Sequence, residues 1–409
     1  MKTHKLKECC TIIAGQSPES KYYNTDGVGI PFFQGKADFG ELYPSIRMYC
    51  SQPTKIAEKD DILLSVRAPV GPTNLSPGTV CIGRGLTAIR PSEQLNLKYL
   101  LFFFRYFEAQ LQSKGTGTTF KAITQDVIKN LEVPIPPLDE QKRIVARIEE
   151  LFSELDKAVE TLQKTKQQLA VYRQAVLKEA FEGKLTQQWR EINNRLYEWK
   201  TMSISCLLQK GKCALKAGPF GSAIKKECYI PMGYKVYGQE QVIAGDESIG
   251  DYYISQEKYI ELITCKVAPG DVLISLVGTV GKVLVLSNNC MPGIINPRLI
   301  KVSLDSEKMH PFFFKYYFES GYLRSLYKEK VHGATMDVLN MGMIKELPFA
   351  WCPIDEQVQV IEEIEARMTI CDNIENTVDT ALQQAEAMRQ SILKQAFERG
   401  LLEKRGENG

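Results

Sequence analysis

The sequence predicts an α+β chain: two similar globular domains separated by two long helices, paired as an antiparallel coiled coil with pseudo-two-fold symmetry. Three observations carry that expectation. First, the stretch PPLDEQKRIVARIEELF at 136–152 returns as CPIDEQVQVIEEIEARM at 352–368, an offset of 216. Aligned without a gap, residues 137–185 and 353–401 share 18 identities in 49 positions, including Asp139/Asp355, Glu140/Glu356, Gln141/Gln357 and Arg173/Arg389. Second, the repeat extends upstream. Lys114/Lys330, Gly117/Gly333 and Thr119/Thr335 keep the offset, and at an offset of 210 FFFRY (102–106) meets FFFKY (312–316) and DILLS (61–65) meets DVLIS (271–275). Third, the stretch after each DEQ carries apolar residues at alternating steps of three and four, the pattern of a coiled-coil seam.

Each element follows from local chemistry. DILLSV (61–66), DVLISLVG (271–278) and KVLVLS (282–287) are short apolar runs bounded by Gly and Pro, the signature of buried strands. YLLFFFRYFEAQLQ (99–112) and PFFFKYYFESGYLRSLY (311–327) read as helices whose aromatics form core. The long helix over 139–182 opens after Pro136-Pro137, has Asp139 and Glu140 at its positive N-terminal end, and stops at Gly183. Its seam runs through Ile148, Leu151, Leu155, Leu162, Leu169 and Tyr172; the copy has Ile364, Ile374, Val378, Met388 and Ile392 there. At 1.5 Å per residue such a rod is roughly 65–70 Å long. An apolar stripe of that length needs a partner, and the simplest is the other helix of the same chain; a second chain is the alternative. The domain boundaries follow: globule 1–136, helix 137–185, globule 186–352, helix and tail 353–409.

Composition excludes several classes. No apolar run reaches the roughly 18 residues of a membrane span, and MKTHKLKECC is no signal segment. Eleven cysteines without a C-x-x-C pair suit reduced thiols in the cytoplasm and offer no zinc spacing. The net charge is +2, but residues 1–136 hold 16 Lys+Arg against 12 Asp+Glu, and 186–352 hold 20 against 16. Each globule is therefore +4, whereas 353–409 hold 6 against 12. Catalytic motifs are missing: GTGTTF (115–120) lacks the Lys of a phosphate loop, NPR (296–298) is not the Asn-Pro-Pro-aromatic motif of amino-methyltransferases, and His4, His310 and His332 lack metal-ligand companions. A chain of this kind is a binding or assembly component.

Two divergent globules, each leading through a P-x-x-P-L/I-x-E-Q type entry into a long helix, with GRGL (83–86) in the first and GPFGS (218–222) in the second, resemble the specificity subunit of type I restriction-modification systems. The resemblance covers essentially the whole chain. It implies that the globules are two target-recognition domains, each reading one half of a bipartite, asymmetric site on double-stranded DNA. The helices would space the halves and dock two modification (methyltransferase) subunits, which restriction (endonuclease/translocase) subunits join. No cofactor is expected in this chain; S-adenosylmethionine, ATP and Mg belong to those partners. The alternative reading is a coiled-coil assembly protein without nucleic acid function.

Candidate DNA contacts are the loops after the aromatic helices, with Lys114, Gly115, Gly117 and Thr119 in one half and Lys330, Gly333 and Thr335 in the other. Lys beside Gly-rich backbone and hydroxyls suits phosphate, although a simple helix C-terminal turn accounts for the same residues. Arg67 and Lys282 flank the turns after the DILLS/DVLIS strands, where an Arg can read guanine. Members of the family often show Ser-x-Arg-Gly at this place; here Arg67-Ala68 stands in one half and Val277-Gly278 in the other. Gln34, Lys36, Gln239 and Gln241, in FFQGK and YGQEQ, complete the candidate set.

Overall fold

The computed structural model describes residues 3–115, 122–195, 197–211, 213–220, 223–277, 279–331 and 339–399. The chain divides into two units: residues 1–163 with 379–409, and residues 164–378. Each long helix is thereby shared between the units instead of forming a segment of its own. No helix among the described residues is long and apolar enough to cross a membrane.

In unit 1 the short strands form three small sheets among the described residues, one of them the antiparallel pair Thr3–Lys5 with Glu132–Pro134. An antiparallel sheet runs in the order Cys10–Ala14, Leu86–Pro91, Ile62–Ser65, Thr73–Leu75. The predicted DILLS strand, observed as Ile62–Ser65, is fully buried, as is Thr73–Leu75 beside it. The second sheet pairs Ile30–Phe33 in parallel with Val80–Ile82 and adds three two-residue strands. Helix α1, Leu97–Ser113, is capped by the Asn96 side chain, which accepts the Tyr99 N–H. It buries Phe102, Phe103 and Phe104 in the main core, as the aromatic run predicts.

Unit 2 repeats this plan. Its antiparallel sheet has the order Leu215–Ala217, Leu299–Val302, Val272–Ser275, Val283–Val285, and its second sheet again contains one parallel pair, Tyr234–Tyr237 with Gly293–Ile295. The helix expected over 311–327 is broken. Pro311–Glu319 ends at Ser320, whose extended backbone (ψ 150°) separates it from Gly321–Val331.

The two long helices are α2, Leu138–Phe181, and α4, Ile354–Lys394, with Pro311–Glu319 taken as α3 between them. Gly183, at φ +72°, closes α2: its N–H donates to Ala180 O at 3.1 Å, and Lys184 N–H reaches Glu179 O at 2.9 Å. This is the left-handed glycine cap the sequence suggests. In unit 1, Ile144, Val145 and Ile148 of α2 share a core with Ile392 and Leu393 of α4. In unit 2, Val176, Leu177 and Ala180 share one with Val360, Ile361 and Ile364.

Burial corrects the seam. The columns at seven-residue spacing hold: Ile148, Leu155, Leu162, Leu169 and Val176 on α2, and Ile364, Cys371, Val378, Ala385 and Ile392 on α4, are buried or half-buried. The fourth residue after each column is also turned inward, whereas of the third residues Leu151, Thr165, Arg367 and Ala381 are half-buried and the others exposed. Phe152, Val159, Lys166, Arg173 and Ala180 turn inward on α2, as do Met368, Glu375, Leu382, Arg389 and Ala396 on the other copy. Leu151 is half-buried, but Tyr172, Ile374 and Met388 are 46%, 40% and 54% exposed and do not belong to the seam. Charge hid this side of the stripe. Arg173 lays its stem into the seam and pairs its head with Asp372 (2.8 Å) and Glu375 (2.9 Å), while Arg389 pairs with Asp156 and lies 5.2 Å over the Phe152 ring. Arg173 and Arg389 are repeat mates, and so are Asp372 and Asp156.

Candidate nucleic-acid interface

Unit 1 carries an open cleft of about 630 Å³ lined from the segments 32–38, 47–48, 65–69 and 84–85 together with Ser17. Its lining includes Lys36, Arg47, Arg67 and Arg84 against a single carboxylate, Asp38. The Asp38 carboxylate is occupied locally: it accepts the backbone N–H of Gln34 at 2.8 Å and of Gly35 at 3.4 Å, fixing the FFQGK turn. The four cations are exposed, and none forms an ion pair among the described residues. Unneutralised, mutually repelling charges in a concave wall are an anion-binding arrangement.

Each cation is held by its loop. Arg67 leaves the end of Ile62–Ser65, where the Ser65 hydroxyl bonds the carbonyls of Arg67 (3.1 Å) and Pro69 (2.8 Å), and Val66 O accepts Ile123 N–H at 3.0 Å. Arg84 sits between Gly83 and Gly85. A Cβ at Gly85 would collide with the Gln34 carbonyl, so glycine is required for the GRGL turn to lie against FFQGK. The Ser17 hydroxyl accepts the Arg84 N–H at 3.2 Å and completes the wall. Three sequence-predicted residues, Gln34, Lys36 and Arg67, thus come together. Arg47, Arg84 and Ser17 were missed; the paired glycines around Arg84 were the available signal, whereas Arg47 has none.

The other candidates are dispersed. Lys114 and Gly115 are not in the cleft lining; the Lys114 ammonium lies 5.2 Å from the Phe107 ring centroid. Gly117, Thr119, Gly333 and Thr335 lie outside the described residues, as does the Lys330 side chain. Lys282 is half-buried, and its carbonyl accepts Ser275 N–H at 3.0 Å. Two glutamines need correction as surface contacts. Gln241 is fully buried: its amide accepts Gly238 N–H at 2.8 Å and donates to Ile249 O at 2.9 Å, so it builds the turn. Gln239 turns its amide onto Ser275 Oγ (2.9 Å) and Val277 O. Short polar side chains beside a glycine satisfy neighbouring backbone before they reach a ligand.

The repeated DEQ has a structural role. Gln141, fully buried, accepts Asn96 N–H at 2.8 Å and donates to Gln94 O (3.0 Å) and Pro136 O (2.8 Å). Gln357 does the same with His310 N–H (2.8 Å), Lys308 O (2.8 Å) and Cys352 O (2.7 Å). Each glutamine clamps the start of a long helix to the cap of the aromatic helix. Glu356, also buried, pairs with Arg190 and accepts the Thr186 hydroxyl at 2.6 Å.

Unit 1 thus carries an unpaired basic cleft, and each unit a glutamine-clamped helical junction. Residues 1–169 match the family model described as the type I restriction modification DNA specificity domain. A specificity subunit from Methanocaldococcus jannaschii (putative type I restriction enzyme MjaX) is 39% identical over 42% of this chain and 40% of its own length. The StySPI specificity subunit from Salmonella potsdam is 26% identical over 76% of this chain and 66% of its own length. A crystal structure of the HsdS subunit from Thermoanaerobacter tengcongensis is 47% identical over 37% of each chain, with a TM-score of 0.35. The matches therefore span 40% and 66% of these two curated relatives. Over residues 1–169 the chain is thus similar to the DNA specificity domain of type I restriction-modification systems, and over a longer stretch it is similar to specificity subunits of type I restriction enzymes.

Proposed function

We propose that this chain is the non-catalytic, sequence-reading subunit of a type I restriction-modification complex. It binds double-stranded DNA at a bipartite, asymmetric site and docks two modification (methyltransferase) subunits on its helices, which restriction (endonuclease/translocase) subunits join. S-adenosylmethionine, ATP and Mg would bind those partners. The observation that carries the reading is the cleft of unit 1: Arg67 and Arg84 are free to make bidentate contacts with guanine, and Lys36 and Arg47 to neutralise phosphate. The loops after the aromatic helices remain proposed phosphate contacts through Lys114 and Lys330.

Antiparallel pairing of α2 and α4 with approximate two-fold symmetry is part of the same reading. It is supported by the repeat-related pairs Arg173–Asp372 and Arg389–Asp156, one within each unit. Apolar side chains outside the seam, Val171, Tyr172, Ile370 and Ile374, support docking of a partner on the helices. The test is to map methylated adenines in DNA from cells carrying this chain with its modification subunits. One motif of two unlike half-sites with a fixed gap is expected. A single contiguous motif overturns the bipartite reading, and no motif at all favours an assembly protein without nucleic acid function.

A further inference from the structure

Unit 2 reaches its ligand differently from unit 1. Phe220 is 90% exposed, more than any other large apolar side chain among the described residues. Single exposed apolar residues are common on protein surfaces, so its position has to decide what it does. The strand before it ends at Gly218, whose N–H donates to Leu299 O at 2.9 Å and whose Cβ position is filled by the Asn296 carbonyl. In unit 1 the homologous strand ends at Gly15, whose N–H donates to Leu86 O at 2.9 Å and whose Cβ position is filled by the Gly83 carbonyl. Two residues past Gly15 stands Ser17, a wall of the basic cleft. Two residues past Gly218 stands Phe220.

The neighbouring strand agrees. Val66 N–H donates to Gly85 O at 2.9 Å, and Leu276 N–H donates to Arg298 O at 3.0 Å, so exposed Arg298 occupies the place of Gly85, next to that of Arg84. Where unit 1 has Arg67, unit 2 has Val277. The second mouth therefore offers an exposed arginine, Arg298, and an exposed phenyl ring, Phe220, which follows Pro219 and whose carbonyl accepts Ala223 N–H at 2.8 Å. A rigid apolar side chain beside a cation is the chemistry by which proteins pry open a base step, burying the ring against unstacked bases.

Resting on the DNA-reading function above, we infer that Phe220 inserts between two base pairs of the half-site read by unit 2, and that this half-site is selected in part by how readily that step unstacks. The step carries no sequence code through hydrogen bonds; it discriminates by deformability, with flexible pyrimidine–purine steps favoured.

The experiment uses the full chain assembled with its modification subunits and a duplex bearing both mapped half-sites, with 2-aminopurine replacing successive adenines of the second half-site other than the methylated one. The wild-type complex is expected to raise fluorescence at one step. Phe220→Ala should abolish that rise and weaken binding about tenfold, while Phe220→Trp retains both. An unchanged signal and affinity in Phe220→Ala overturns the inference, as does a loss confined to assembly with the modification subunits, which would make Phe220 a protein contact. Arg84→Ala in the same assay separates the two levels. If neither Arg84→Ala nor Phe220→Ala weakens binding, or the wild type does not prefer the duplex to a scrambled one, the DNA-reading function falls with it.

Discussion

Gln141 and Gln357, themselves fully buried, each satisfy three backbone groups with one amide. Replacing Gln357 with Leu keeps most of the volume but removes the partner of one N–H and two carbonyls, each costing about 1–3 kcal/mol where water cannot reach it, as at the buried Cys352 carbonyl. A loss of about 2–4 kcal/mol is expected in urea unfolding of Gln357→Leu. The caps these glutamines hold differ in chemistry. Asn96 caps α1 with an amide oxygen, whereas His310 caps α3 with Nδ1, which accepts Phe312 N–H at 3.3 Å. Burial holds the His310 pKa below its ordinary value, so the folded state prefers neutral imidazole. That contribution is complete above the unfolded pKa of about 6.5 and is lost as pH falls from there through the folded value. Thermal unfolding measured across this window should show a downward slope with acidification that His310→Asn flattens. At this scale the sequence was half legible. Gln34, Lys36 and Arg67 could be picked from polarity and position, but Arg47 reaches the cleft through loop geometry that no local pattern encodes. Gln241 misled because its polarity serves the turn beneath it.

The long helices were legible in their ends and their heptad columns, because prolines, acidic first turns and Gly183 act locally. Which neighbour of each column faces inward was not legible. Hydrophobicity favours Tyr172, Ile374 and Met388, yet the burial chosen is that of Arg173, Glu375 and Arg389, whose charges find partners on the facing helix. A side-chain swap separates the two seams. Val378→Glu places a carboxylate at a site 4% exposed and should cost about 3 kcal/mol or more, whereas Met388→Glu, at 54% exposure, should change stability by no more than about 0.5 kcal/mol. Chemical denaturation of both variants reads the difference. The aromatic helices were legible as core, but the break at Ser320 was not. Its hydroxyl bonds Tyr317 O at 2.6 Å and ends α3 in favour of a new helix, a backbone competition the apolar pattern does not record.

Across the whole molecule, one plan is executed twice with unlike mouths. The antiparallel sheet order, the single parallel pair, the aromatic helix and the clamped junction recur, while the cleft residues diverge: Arg67 against Val277, Arg84 against Pro297, Ser17 against Phe220. On the proposed function, the adenine map is therefore expected to yield half-sites of unrelated sequence, the first the more guanine-dependent because its wall carries three exposed arginines, Arg47, Arg67 and Arg84. The repeat made this architecture legible, since duplication signals a unit whatever its strands are. The second sheet of each unit was not, its strands being two to four residues long and paired across distant loops.

The glutamine clamp has one more implication. All six of its partners are main-chain atoms, contributed by Asn96, Gln94 and Pro136 in one unit and by His310, Lys308 and Cys352 in the other. A joint that grips only peptide groups is blind to the side chains around it. A globular domain of different sequence could therefore be seated on this helix as long as its chain follows the same path.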